Sequence, residues 1–137
     1  MPKVRNIVKP FKAPDPLGMY SLAVRTDGQD LLLLSGQLSV DKDGNTVGVG
    51  DVGVQAKQVF DNIGAALEDS GASYDDILKL TTFLVGEESL AGFTEARTTF
   101  YPEIFPDGDY PPNTLLLVSG LAKPEFLVEV EVIAAAK

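Results

Sequence analysis

Cysteine and histidine are both absent from the 137-residue sequence. Without cysteine there is no disulfide, no thiolate nucleophile and no cysteine metal site. Without histidine the commonest general base and the commonest zinc ligand are missing, so a Ser-His-Asp or Cys-His mechanism is excluded for this chain alone. Acid–base work falls to Asp, Glu, Lys, Tyr or a held water. Long apolar runs are also lacking: none approaches the ~20 residues that cross a bilayer. The basic start MPKVRNIVKP is not followed by the apolar stretch of a secretory leader. A cytoplasmic location without a membrane partner is the expectation. Positive charge is scarce too, with 11 Lys and Arg against 20 Asp and Glu and a net charge of −9. That field repels phosphate backbones, so nucleic acid is not an expected partner. The one basic cluster, Lys3, Arg5, Lys9 and Lys12, reads as a solvated edge that blunts a strand.

What is present is a foldable pattern. The hydrophobic content of 45% excludes disorder, and the length fits one domain over residues 1–137 with no repeat or linker. Pro10, Pro14 and Pro16 make an irregular lead-in. Tyr20–Val24 and Gln29–Val40 read as strands joined at Thr26-Asp27-Gly28, with a short extra strand at Val4–Val8. Leu31–Leu34 is apolar on both faces, which predicts a central strand. Asp41–Asn45 has acids at alternate positions like the start of a calcium loop, but Val52 stands where the closing acid belongs, so a plain Asp-Gly turn is expected and no metal. From Asp51, a plausible N-cap, helical spacing runs to a stop at Gly71. Ile77–Val85 reads as a strand and Ser89–Tyr101 as a second helix ended by Pro102. Thr114–Val118 and Phe126–Ala134 complete the set. The order predicts an α+β fold, one mixed sheet with two helices on one face. The strand residues do not look solvated on the other face, which points to an oligomer.

Two acids interrupt the last strand. Period two puts Glu129 and Glu131 on one face with Leu127 and Ile133, opposite Val128, Val130 and Val132. They have either a catalytic or ligand-binding role, or a structural one in an ion-paired or hydrogen-bonded network at a subunit interface, with Lys79, Arg97 or Lys123 as partners.

The landmarks resemble the Rid family of enamine/imine deaminases, the YjgF-like proteins. The matching stretches are Gly18-Met-Tyr20-Ser, Leu34-Ser-Gly-Gln-Leu38, Gln58-Val-Phe-Asp-Asn-Ile63, Ser70-Gly-Ala-Ser73, Lys79-Leu-Thr-Thr-Phe83-Leu, Phe105-Pro, Tyr110-Pro and Val128-Glu-Val-Glu-Val-Ile133-Ala. The resemblance implies a chorismate-mutase-like fold, a homotrimer whose sheets form a central barrel, and ligand sites in the clefts between subunits. It implies hydrolysis of 2-imino acids with no cofactor: an arginine grips the carboxylate and a glutamate positions water. On that basis Glu129 is the water-positioning residue and Glu131 the second glutamate of the strand. Tyr20, Ser35 and Gly36 line the pocket, and Thr94 stands where the family often has asparagine. The arginine position is Asn113. Two readings of Asn113 stay open, a brace for the strand start after Pro112 or a neutral replacement in a retuned pocket. Tyr20 is either a ligand contact or a packing aromatic. Arg97 is either a substitute cation or a partner of Glu95, Glu103 or another subunit.

Three functions follow: a divergent imine/enamine hydrolase acting on a small imine, a small-metabolite-binding trimer without deaminase activity, and an endoribonuclease, which the acidic charge and missing histidines disfavour.

Overall fold

The computed structural model describes residues 4–10 and 12–136. Two short strands, β1 (Asn6–Val8) and β2 (Ala23–Arg25), form an antiparallel ribbon of their own. The main sheet is built from β3 (Asp30–Gln37), β4 (Ile77–Val85), β5 (Asn113–Val118) and β6 (Val128–Ala136), in the order β3-β6-β4-β5. Only the β4–β5 pair is parallel. Helices α1 (Val52–Asp69) and α2 (Glu87–Ile104) pack on one face. This is the expected mixed sheet under two helices.

Local signals explain most boundaries. Asp51 caps α1 by accepting from the Val54 N–H, and Gly71 follows its end at φ +78°, a conformation open to glycine. Apolar residues Val59, Phe60, Ile63 and Leu67 project from α1 onto Leu80, Leu84, Val128, Val130 and Val132 of the sheet. The Asp41–Asn45 segment is a turn in which Asp41 Oδ1 accepts from the N–H groups of Asp43 and Asn45.

Four expectations are corrected. The Tyr20–Val24 strand shortens to β2 and leaves the main sheet. β3 is an edge strand, not a central one; its second apolar face, with Leu31 60% and Leu33 69% exposed, is bare. α2 runs through Pro102 and two residues beyond it, closed by the Phe105 N–H donating to Tyr101 O at 2.7 Å. Arg5 is not solvated: it is buried and donates to the carbonyls of Tyr74, Asp75, Ile77 and Asp109, tying the first residues to the turn before β4 and the loop before β5. Lys9 and Lys12 are exposed, and Lys3 lies outside the described residues.

Candidate functional site

The alternation read from the sequence of β6 is realised. Val128, Val130 and Val132 are buried under the helices, and Glu129 and Glu131 stand on the opposite, open face. Pairing with β4 sets Phe83 opposite Glu129 and Thr81 opposite Glu131. On the other flank, β3 breaks register between Leu34 and Gln37, so Ser35 and Gly36 form an irregular bend. The bend brings Gly36 against the Glu129 side chain. A Cβ at Gly36 would collide with Glu129 Oε2 and stand 2.7 Å from its Cδ, so only glycine leaves room for the carboxylate in this position. Ser35 is exposed, and its carbonyl accepts from Gln37 Nε2.

Burial, and then the neighbouring Glu131 charge, push the Glu129 carboxyl above the ordinary carboxylate range. None of the proposed basic partners relieves it. Lys79 donates to Thr114 Oγ1 at 2.5 Å, Lys123 lies over the Phe126 ring, and Arg97 is on the buried face of α2. Among the described residues neither glutamate is ion-paired within the chain.

Asn113 lies on the other side of the sheet. It pairs in register with Leu80, which is fully buried, and its Oδ1 accepts from the Thr82 hydroxyl at 2.9 Å. Thr82 is itself only 1% exposed. The bracing role read for Asn113 therefore has a partner. The bond also orients the amide: with Oδ1 engaged, Nδ2 is left as the group that can donate elsewhere. Tyr20 sits half-buried in the lead-in, its hydroxyl accepting from the Leu17 N–H. The next residue, Ser21, is anchored to the carbonyls of Tyr110 and Pro111, just before β5. Thr94 is exposed on α2.

The chain thus unites Gly36 and Glu129, and places Tyr20's segment near the start of β5. It does not bring Asn113 to Glu129, which occupy opposite faces of the sheet. Sequence reasoning missed Thr82, whose role depends on the parallel β4–β5 register. Its apolar neighbours Leu80 and Leu84 were the available signal that it faces the core. It also missed the Arg97 environment, in which the guanidinium lies against the Phe93 and Tyr101 rings and is not paired with Glu95 or Glu103. Among the described residues, no group of three or more His, Cys, Asp or Glu could hold a metal ion, and no helix is long and apolar enough to cross a membrane.

Known proteins resemble this chain in sequence and fold. A family model described as Endoribonuclease L-PSP matches residues 11–136. A RutC family protein of Synechocystis is 33% identical over 130 residues, covering 94% of this chain and 95% of the relative. One from Pyrococcus abyssi is 32% identical over 130 residues, covering 95% and 96%. Among solved structures, a Rid family protein of Yersinia pestis, YyfB, has a TM-score of 0.83 at 28% identity, covering 96% of this chain and 98% of that one. E. coli TdcF, solved with bound serine, has a TM-score of 0.69 at 28% identity, covering 96% and 99%. Matched almost end to end in both sequence and fold, the chain belongs to the endoribonuclease L-PSP family, the family of the RutC and Rid (YjgF-like) proteins.

Proposed function

We propose that the protein is a divergent imine/enamine hydrolase that works as a homotrimer, with its ligand held in the clefts between subunits. The observation that carries this reading is the Glu129 carboxylate seated against Gly36 on an open sheet face, unpaired and raised in pKa. A carboxylate in that state accepts a proton from water as the oxygen attacks an imine carbon. The C–O bond forms as the C=N π bond opens, and the imine nitrogen takes up the proton held by the carboxyl, giving a carbinolamine; its hydroxyl then returns a proton through the carboxylate to the nitrogen, the C=O bond forms, and the C–N bond breaks to release ammonia and a carbonyl product. No metal or cofactor is required by these steps.

Assembly is part of the proposal. Glu129 and Asn113 face opposite ways in one chain, so a cleft using both needs two copies. The exposed Leu31 and Leu33 favour association through the open face. Light scattering is expected to give three times the 14.6 kDa chain mass; a stable monomer overturns the intersubunit site. The serine held by TdcF supports a ligand of amino-acid size. The direct test generates 2-aminoacrylate and other small imines in situ and measures the loss of each with and without the protein. Faster loss of at least one imine supports hydrolysis.

A second reading is a trimer that binds a small metabolite without deaminating it. It is favoured by Asn113, which lacks the charge and fork of an arginine. Binding without imine loss in the same assay selects it. The net charge of −9 weighs against RNA cleavage.

A further inference from the structure

Two amide side chains of α1 reach the backbone on either side of the Gly36–Glu129 contact. Gln55 is fully buried, and its Oε1 accepts from the Leu127 N–H at 2.9 Å. Its Nε2 donates to the carbonyls of Gly48 and Glu125, at 3.1 and 2.9 Å. Leu127 stands two residues before Glu129. Asn62 Nδ2 donates to the carbonyls of Leu38 and Val40, at 3.0 and 2.9 Å. Its Oδ1 accepts from Gln58 Nε2 at 2.9 Å, which leaves both amide N–H groups directed at the end of β3. Leu38 stands two residues after Gly36.

The sheet alone does not fix these two walls. The β3–β6 register breaks between Leu34 and Gln37, so no ladder pairing holds the bend at Ser35 and Gly36. Leu127 precedes β6, and β4 takes only its carbonyl, through the Val85 N–H at 3.0 Å. The helix supplies what the ladder leaves out. Seven residues are close to two turns, so Gln55 and Asn62 share one face of α1, about 10.5 Å apart along its axis. The buried Ala56, Val59, Phe60 and Ile63 seat that helix on the core. We propose that Gln55 and Asn62 are positioning residues, which set the approach of Gly36 to the Glu129 carboxylate by holding both flanking segments against α1. The chemistry of Gln55 fits this role. An apolar residue would fill a fully buried helix position at no cost in polar groups, whereas a buried amide needs its bonds made. Gln55 makes them all with backbone from two separate loops, ahead of α1 and ahead of β6. The bearing of this arrangement on turnover rests on the reading that Glu129 works on water; the approach of Gly36 to Glu129 does not.

The test reads that approach directly, on the full-length assembled protein. The Gly36 Hα that a Cβ would replace points at the Glu129 side chain, so a nuclear Overhauser contact between Gly36 Hα and Glu129 Hγ reports it. Asn62→Leu and Gln55→Met keep the size of each side chain and remove its hydrogen bonds. Tyr74→Phe is the control: it removes the 2.6 Å bond from the Tyr74 hydroxyl to the Phe60 carbonyl, on the same helix but to neither flanking segment. The contact is expected in wild type and in Tyr74→Phe, and is expected to be lost in Asn62→Leu and in Gln55→Met. Should one of those two variants fail to fold, the other decides. Failure of both where Tyr74→Phe folds assigns them a structural role only, and overturns the proposal. So does a folded, less stable variant that retains the contact, or loss of the contact in Tyr74→Phe. Where wild type hydrolyses an imine, both variants are expected to lower kcat on the order of 10²-fold with KM little changed, as a catalytic group misplaced by ~1 Å implies. A lost contact with unchanged kcat would instead refute the role of Glu129 and leave its positioning by α1 standing, so the two failures are distinguishable.

Discussion

Substituting Gly36 by alanine separates the position of Glu129 from the stability of the fold. The new Cβ would stand 2.7 Å from Glu129 Cδ and 2.8 Å from Cγ, and would overlap Oε2. Carbon atoms in contact prefer about 3.5–4.0 Å, so the glutamate must withdraw by roughly 1 Å or swing to another staggered rotamer. The backbone does not resist: Gly36 is not among the glycines with positive φ. Alanine gains about 0.4–1 kcal/mol by restricting the unfolded chain. A strained Glu129 side chain costs about 0.5–1.5 kcal/mol. The two nearly cancel, so the melting temperature is expected to stay within about 4 °C of wild type. Misplacing a catalytic group by ~1 Å costs on the order of 10²-fold in rate. Calorimetry and the 2-aminoacrylate assay, run on one preparation, are expected to give a folded trimer with imine hydrolysis lowered by about that factor. A folded Gly36→Ala variant with unchanged turnover would refute the reasoning, because the carboxylate would then not need its present position.

Other expectations follow from the same geometry. Glu129→Gln should leave the proposed trimer intact and abolish any imine hydrolysis. Because folding raises the Glu129 pKa, its stabilising contribution is fully present below the unfolded value and is lost as pH rises through the folded one. Denaturant titrations should therefore show wild type losing stability relative to Glu129→Gln as pH climbs from the ordinary carboxylate range towards neutral. Leu33→Lys places a charge on the bare face of β3, where Leu33 is 69% exposed in the single chain, and light scattering should report monomers. Asn113→Arg should raise kcat/KM on 2-aminoacrylate at least about tenfold by adding a carboxylate clamp. The same change removes the acceptor of the buried Thr82 hydroxyl, so it should also destabilise by about 1–3 kcal/mol in denaturant melts.

Local chemistry in the sequence decided a good deal. Ile77–Val85 is a strand with the boundaries read from its residues, Asp51 caps α1 as its side chain predicts, and the alternation of β6 puts Glu129 and Glu131 on the face expected. The landmarks from Gly18-Met-Tyr20 to the terminal Val-Glu-Val-Glu identified the family because they are short-range patterns in a fixed order. Other features required the tertiary structure. An apolar stretch such as Leu31–Leu34 looks the same in a central strand as in an edge strand with a bare apolar face; only long-range pairing makes β3 an edge. The side of the sheet on which Asn113 falls depends on its parallel register with β4, which no local signal encodes. Arg97 carries the same ambiguity, since a charged residue on a helix is ordinarily solvated. Its burial between Phe93 and Tyr101 arises because α2 presses that face towards the core. Sequence periodicity reports alternation along one element, whereas sheet order, register and the covering of each face are settled between elements distant in the chain.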